Sequence, residues 1–72
     1  MNYKYGPGMI AAAKNFRKTI IWDDALQGVI DYLYEGEIAT VVCQETQNGW
    51  VQLLSPRGIK GYIHRTNLKN AV

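Results

Sequence analysis

A turn that leads directly into a tryptophan-headed strand is the feature of this chain that most constrains its fold. Residues 48–53 have the sequence Asn-Gly-Trp-Val-Gln-Leu, and residues 61–64 have the sequence Gly-Tyr-Ile-His after an intervening Ser-Pro-Arg-Gly turn. Asn-Gly and Pro-Arg-Gly favour tight turns, and the short apolar and aromatic runs between them favour strands. These residues predict the middle strands of a small β-barrel, with an aromatic side chain exposed where a ligand could bind.

Further short strands are predicted at intervals of roughly ten residues. β-Branched and aromatic residues favour strands at residues 19–22, 29–34, 38–44, 50–54 and 59–64. Residues 9–16 are ambiguous between helix and strand, and we favour a strand because the stretch is short, follows Gly-Pro-Gly and lacks a helix cap. Residues 66–68 are expected to form a single helical turn. The chain therefore has room for about five or six strands, which predicts an all-β barrel or sandwich.

Alternation along these strands predicts which side chains are buried. Those expected to point inward are Ala39, Val41, Val51, Leu53 and Ile63. Trp50, Gln52 and Tyr62 then point outward. An outward tryptophan is unusual unless it lines a groove, so the alternation itself indicates a binding surface.

Size and composition indicate one small domain. The chain has 72 residues, of which 47% are hydrophobic and 19% charged, as is typical of folded proteins. We expect a flexible leader at residues 1–8, a barrel at residues 9–69 and a tail at residues 70–72. Cys43 is the only cysteine, so no internal disulfide can form, and we expect its side chain to be buried or half-buried. One cysteine and one histidine cannot assemble a metal cluster, and no cofactor is expected.

Charge and hydropathy narrow the expected partners and location. The net charge is +2 and no basic run is longer than Arg17-Lys18, which disfavours a nucleic-acid partner. Residues 1–8 lack the regions of a signal peptide, and no apolar run is long enough to span a membrane. We expect a cytoplasmic protein if the chain is a full gene product, and a cell-wall or extracellular one if it is part of a longer protein. The sequence does not predict the oligomeric state.

Four segments, taken in order, resemble bacterial SH3-type domains. Those domains have Asn-apolar-Arg, then Val-Ile-x-x-Leu-x-x-Gly-Glu, then Gly-x-Trp-Val-x-Val and finally Gly-Trp-Val-His-x-x-x-Leu. The matching segments are residues 15–17, 29–37, 49–53 and 61–68, so the resemblance extends over most of the chain. It implies an SH3-like barrel of about five to six short antiparallel strands, with a short helical turn near the C-terminus. The loop at residues 18–28 is longer than in the family pattern and lacks its Gly-Pro.

The residues expected to bind a ligand lie in the loop at residues 18–28, in the turn at residues 45–49 and on the middle strands. They are Trp22, Asp23, Asp24, Asn48, Trp50 and Tyr62. We expect Trp50 to stack against the ligand, and Trp22 with the acidic pair to bind a cationic group such as an amine. The alternatives are that Trp50 caps the barrel by packing on the neighbouring strand and that the acidic loop is simply solvated.

The resemblance implies a recognition module rather than an enzyme. No motif places a nucleophile or a carboxylate at a fixed spacing from His64, which argues against a catalytic role; the resemblance implies instead that His64 is a structural residue at the end of a strand. We therefore predict a non-catalytic module that binds peptidoglycan or a cell-wall peptide in a shallow aromatic groove. The alternative is an intracellular protein-interaction module or a small phage or plasmid accessory protein. Weak nucleic-acid binding is the third hypothesis.

Overall fold

The computed structural model of the protein describes residues 3–14 and 17–72 of the chain. The strands are β1 (Ile10–Ala13), β2 (Lys18–Trp22), β3 (Val29–Tyr34), β4 (Ile38–Val41), β5 (Trp50–Leu54), β6 (Lys60–His64) and β7 (Leu68–Asn70). A 3-10 turn at Arg65–Asn67 connects β6 to β7. The predicted all-β class is confirmed, and so is a helical turn near the C-terminus. In the described ranges no helix is long and apolar enough to cross a membrane.

The seven strands in the described part of the chain form one antiparallel sheet in the order β3-β2-β6-β5-β4-β1-β7. This is one or two strands more than the five or six predicted, and the sheet is open because β3 and β7 are its two edges. In a flat sheet, six spacings of about 4.8 Å would separate those edges by about 29 Å. Leu33 of β3 and Leu68 of β7 nevertheless belong to a single buried cluster. The sheet therefore curls over one core without being closed into a barrel.

Alternation along the strands fills the core as predicted. The expected inward residues Ala39, Val41, Val51, Leu53 and Ile63 are each at most 2% exposed. They form one contiguous apolar cluster with buried side chains from β1, β2, β3 and β7. Trp50, Gln52 and Tyr62 alternate with this set and are half-buried. The sheet thus presents an aromatic strip on the side away from the core.

Both ends of the described chain pack more closely than the sequence predicts. Tyr5, which falls in the expected flexible leader, is 1% exposed and belongs to the core. Its backbone N–H donates to Oε1 of the buried Glu45 at 3.0 Å. At the other end, Asn70, the first residue of the expected tail, pairs with Ala11 as part of a seventh strand, Leu68–Asn70. Neither segment has a strand pattern of its own, so only contacts with the rest of the fold hold it in place.

The strand predicted at residues 38–44 is shorter than expected. It ends at Val41, after which the chain leaves the sheet. Cys43 lies in this departing segment and is exposed, so the expectation of a buried or half-buried thiol is wrong. Its Sγ–H donates to Oε1 of Gln52 at 3.0 Å.

The ambiguous segment at residues 9–16 forms a strand, as favoured, over Ile10–Ala13. This strand lies between β4 and β7, and Ala11 is fully buried. Small side chains suit this position because both neighbouring strands and the core crowd it. Asn15 and Phe16, which carry the first segment of the resemblance, lie outside the described residues.

Candidate binding groove

A cavity of about 250 Å³ lies between the β2–β3 loop, the β4–β5 turn and the outer face of β5 and β6. It is lined by Asp24, Leu26, Thr46, Asn48, Trp50 and Tyr62. Four of these six, namely Asp24, Asn48, Trp50 and Tyr62, are among the residues predicted to bind a ligand. The structure therefore brings together residues that are up to 38 positions apart in the sequence.

Trp50 and Tyr62 form the aromatic floor of the groove because β5 and β6 are antiparallel neighbours. Their register pairs Trp50 with His64 and Gln52 with Tyr62, which makes Trp50 and Tyr62 diagonal neighbours on one face. Such positions are about 7–8 Å apart, within reach of large rings. Tyr62 also pairs with Trp22 of β2. That pairing brings the β2–β3 hairpin against β6, so that its loop forms a wall of the groove.

The opposite wall is the tight turn at residues 46–49. The Gly49 N–H donates to the Thr46 carbonyl at 2.9 Å, and the Thr46 N–H donates to the Trp50 carbonyl at 2.8 Å. The Thr46 hydroxyl oxygen accepts the Trp50 N–H at 2.9 Å. Gly49 has a φ of +88°, and a Cβ at that position would lie 2.8 Å from Nε2 of His64. Glycine is therefore required here by both conformation and space.

His64 fixes the relation between this turn and the aromatic floor. Its Nδ1 accepts the Thr66 N–H at 3.3 Å, which assigns the ring proton to Nε2. The Nε2–H then donates to the Asn48 carbonyl at 3.0 Å. The ring also stands edge-on to Trp50. These contacts with a turn, a cap and a neighbouring ring give His64 the structural role expected from the sequence.

Asp23 and Asp24, predicted together as the acidic part of the site, have different surroundings. Oδ1 of Asp23 accepts the Gln27 N–H at 3.0 Å, and this hydrogen bond is the main reason why the pKa of Asp23 lies below its ordinary value. The Asp23 N–H also donates to the Gly28 carbonyl at 2.9 Å. Asp23 thus organises the loop. Asp24 is exposed, lines the groove and forms no salt bridge within residues 3–14 and 17–72, so its carboxylate is the one available to a ligand.

The groove is lined by Leu26, which was not predicted as a site residue, and not by Trp22, which was. Trp22 pairs with Val29 and with Tyr62 inside the sheet and does not line the cavity. Leu26 does line it and is 36% exposed, with a φ of 58°. A positive φ is strained for a bulky residue and is often found at functional sites. No sequence signal identifies Leu26, because an apolar residue in a loop gives no indication of its backbone conformation.

A second and larger cleft, of about 420 Å³, lies between the β3–β4 turn and the segment that follows β7. Its charged lining residues are Glu35, Glu37 and Lys69, and none of the aromatic side chains in residues 3–14 and 17–72 lines it. Glu37 is engaged in an ion pair with Arg57 at 2.6 Å. The described residues therefore give this cleft no flat aromatic surface of the kind that makes the smaller cavity the better candidate.

The described residues, 3–14 and 17–72, contain no group of three or more His, Cys, Asp or Glu side chains that could hold a metal ion. Comparison of the chain with protein-family models, curated proteins and solved structures gave no match. The groove is therefore interpreted from its own residues.

Proposed function

We propose that this chain is a non-catalytic binding module that holds a peptidoglycan fragment, either its glycan or its peptide, in the groove over Trp50. The observation that carries this proposal is the convergence of aromatic, amide and carboxylate side chains from three separate segments on one cavity. A site of this composition binds by stacking and hydrogen bonding. We also propose that the curled sheet is an SH3-like fold, which the 3-10 turn directly before the last strand supports.

Each lining residue offers a distinct interaction. Trp50 and Tyr62 present ring faces to the apolar side of a sugar or to an extended peptide. Asp24 offers a carboxylate to an ammonium group, which peptidoglycan peptides carry. Thr46 and Asn48 lie on the opposite wall, where their polar side chains can bond to amides or hydroxyls of the ligand. The combination suits a ligand that is both amphipathic and hydrogen-bonding.

The size of the groove limits the affinity of one site. A volume of about 250 Å³ is below the range of about 300–1,000 Å³ typical of sites that enclose a whole small molecule. It accommodates one sugar ring or one to two amino-acid residues of a longer polymer. Tight retention on a cell wall would then come from many repeated sites on the polymer rather than from one contact.

The test is co-sedimentation of the purified protein with isolated cell-wall sacculi, compared for wild type, Trp50→Ala and Asp24→Asn. We expect Trp50→Ala to weaken binding about ten-fold or more, since an aromatic contact contributes about 0.5–1.5 kcal/mol beyond its buried area. Tyr3→Ala, which removes an exposed aromatic outside the groove (38% exposed), should bind like the wild type.

Two outcomes would overturn the proposal. Equal retention of wild type and Trp50→Ala would remove the groove from the binding site. Absence of wild-type retention on sacculi, together with Trp50-dependent capture of a defined cytosolic protein, would replace the wall ligand by a protein partner. A steep fall of retention on single-stranded nucleic acid with added salt would instead favour the third hypothesis.

A further inference from the structure

The free edge of β3 is closed by side chains rather than by another strand. Within residues 3–14 and 17–72, β3 pairs only with β2, so the N–H and C=O groups of alternate β3 residues point away from the sheet. The Tyr32 N–H donates to Oδ1 of Asp31 at 2.8 Å, and the Tyr34 N–H donates to Oε1 of Glu37 at 2.9 Å. The Glu37 N–H donates back to the Tyr34 carbonyl at 3.0 Å. The Tyr32 carbonyl accepts from Nη2 of Arg57.

Arg57 connects all of these groups. Its Nε lies 3.1 Å from both carboxylate oxygens of Asp31, and its Nη1 lies 2.6 Å from Oε2 of Glu37. The guanidinium carbon is 5.4 Å from the centroid of the Tyr34 ring. One side chain from the β5–β6 turn thus pairs with two carboxylates, a strand carbonyl and an aromatic ring along the β3 edge.

The β5–β6 turn is built to hold Arg57 in this position. The Ser55 hydroxyl oxygen accepts the N–H groups of Arg57 and Ile59, each at 3.2 Å. The Gly58 N–H donates to the Ser55 carbonyl at 2.9 Å, and Gly58 supplies the positive φ of 83° that the turn requires. Ser55 is itself 4% exposed. The turn therefore fixes the backbone from which the Arg57 side chain extends to the β3 edge.

The two edge strands of the sheet, β7 and β3, differ in how readily they could pair with a strand of another chain. β7 has three residues and carries Lys69 at its centre, and a short edge strand with a lysine resists pairing with another chain. β3 has six residues, and Val29, Ile30 and Tyr34 on it are 45%, 43% and 44% exposed. A long, apolar edge strand becomes a template for strand addition once its outward backbone groups lose their present partners.

We propose that the outer edge of β3 is a pairing surface for a second copy of this chain and that Arg57 keeps it closed. Antiparallel pairing of β3 with β3 is related by a two-fold axis, so it ends at a dimer. In that dimer the backbone N–H and C=O groups of Tyr32 and Tyr34 would hydrogen-bond to the backbone of the other copy instead of to their present partners in the same chain. Pairing of β3 with β7 would be head-to-tail and open-ended, and β7 is too short to match six residues.

The test is sedimentation equilibrium of Arg57→Gln over a wide concentration range, beside the wild type. We expect a wild-type monomer and an Arg57→Gln dimer whose dissociation constant is at least ten-fold below that of the wild type. The matched control is Arg65→Gln, because Arg65 also pairs with a glutamate, at 3.2 Å from Oε2 of Glu45, but does not cover a sheet edge. It should remain monomeric.

A second variant identifies the surface that pairs. Arg57→Gln combined with Tyr34→Lys places a lysine on the β3 edge and should restore the monomer. A folded, monomeric Arg57→Gln protein would overturn the proposal, and so would a dimer or an open-ended polymer that the added lysine leaves unchanged. If circular dichroism shows that Arg57→Gln does not fold, Glu37→Ala, which removes the oxygen that accepts the Tyr34 N–H, tests the proposal by the same two measurements.

Discussion

The imidazole of His64 stands perpendicular to the indole of Trp50, with ring planes at 89° and ring centroids 5.1 Å apart. The same imidazole donates from Nε2 to the Asn48 carbonyl and accepts at Nδ1 from Thr66. One side chain therefore supports the groove floor, the groove turn and the start of the 3-10 helix. The geometry of the groove depends on a residue that does not line it.

Replacing His64 by alanine should destabilise the protein by about 2 kcal/mol, the sum of about 1 kcal/mol for a lost cap and about 1 kcal/mol for a lost aromatic pair. Trp50 also becomes more solvated, so the tryptophan emission maximum should move to longer wavelength. Urea denaturation and fluorescence spectra measure the two effects. Lys60→Ala, on the exposed start of the same strand, should change stability by no more than about 0.5 kcal/mol. An unchanged spectrum in His64→Ala would contradict the proposed contact.

Alanine at Gly49 should be more harmful than alanine at Gly58. Both glycines have positive φ, +88° and +83°, but a Cβ at Gly49 would meet the His64 ring, whereas nothing lies within 4 Å of one at Gly58. The left-handed conformation alone costs about 1–2 kcal/mol, so Gly58→Ala should lose about that amount. Gly49→Ala should lose at least about 1 kcal/mol more, because the imidazole must move. Equal losses in urea denaturation would show that the imidazole moves aside at no cost.

The parts of the fold that the sequence predicts are those that local chemistry determines. Asn-Gly and Pro-Arg-Gly define two turns, and alternation of apolar side chains between them defines the buried face, so β5 and β6 could be placed before the structure. The burial of Tyr5 could not be predicted, because it depends on Glu45, which lies 40 residues further along the chain. β7 was not predicted for the same reason, since a three-residue strand has no periodicity of its own.

The candidate site also contains residues that the sequence predicts and residues that it does not. Trp50 and Tyr62 follow from alternation, whereas the choice between Asp23 and Asp24 depends on which carboxylate the loop amides bind. Two adjacent acidic residues in a loop look alike in the sequence. Leu26 lines the groove with a backbone φ of 58°, and a leucine in the sequence does not signal a positive φ.

Leu26→Gly should separate groove binding from stability. Glycine adopts a φ of 58° without strain, so the free energy of unfolding should fall by less than about 1 kcal/mol, mainly from the greater entropy of the unfolded chain. The apolar wall of the groove is lost, and we expect binding to sacculi to weaken by about five-fold. Ala25→Gly, in the same loop but outside the cavity lining, is the matched control and should bind normally. Normal binding by Leu26→Gly would exclude this wall from the ligand contact.

Tyr5→Phe should stabilise the protein. The Tyr5 hydroxyl is buried and has no hydrogen-bond partner among the described residues, and burying an unpaired hydroxyl costs about 1–3 kcal/mol. We therefore expect a gain of about 1 kcal/mol at pH 7 in urea denaturation. Tyr3→Phe, which alters an exposed phenol, should have no effect. A loss of stability in Tyr5→Phe would indicate that the hydroxyl has a favourable partner in the folded protein.

The buried Tyr5 hydroxyl should also make the stability of the protein sensitive to alkaline pH. Burial, and then the negative charge of Glu45, raise the pKa of Tyr5 above its ordinary value of 10.0. A group with a raised pKa in the folded state contributes stability that is complete below the unfolded pKa and is lost as pH rises through the folded one. Wild-type stability should thus fall above about pH 10, and this fall should be smaller in Tyr5→Phe. An equal loss of stability at alkaline pH in the two proteins would contradict the assignment of this loss to Tyr5.

The ion pairs of Arg57 predict a loss of stability in acid. The hydrogen bond from Arg57 is the main reason why the pKa of Glu37 lies below its ordinary value. Burial raises the pKa of Asp31, but hydrogen bonds from the Tyr32 N–H, Ser55 and Arg57 outweigh it, so that this pKa is also lowered. Carboxyl groups with lowered pKa values contribute stability that is present above about pH 4–4.5, where the unfolded groups titrate, and is lost as pH falls through the folded values.

The contribution of Glu37 and Asp31 to the free energy of unfolding should therefore be constant from about pH 7 to pH 5 and should fall below about pH 4, as urea denaturation of the wild type can measure. Glu37→Gln, measured at concentrations where sedimentation shows a monomer, should lower the plateau and flatten the acid limb, because one of the two titrating partners of Arg57 is gone. Glu35→Gln, in the same turn and without a salt bridge in the described part of the chain, should keep the wild-type acid limb. The opposite result, in which Glu35→Gln reduces the loss of stability in acid and Glu37→Gln does not, would contradict this prediction. The acid sensitivity would then come from carboxylates other than those paired with Arg57.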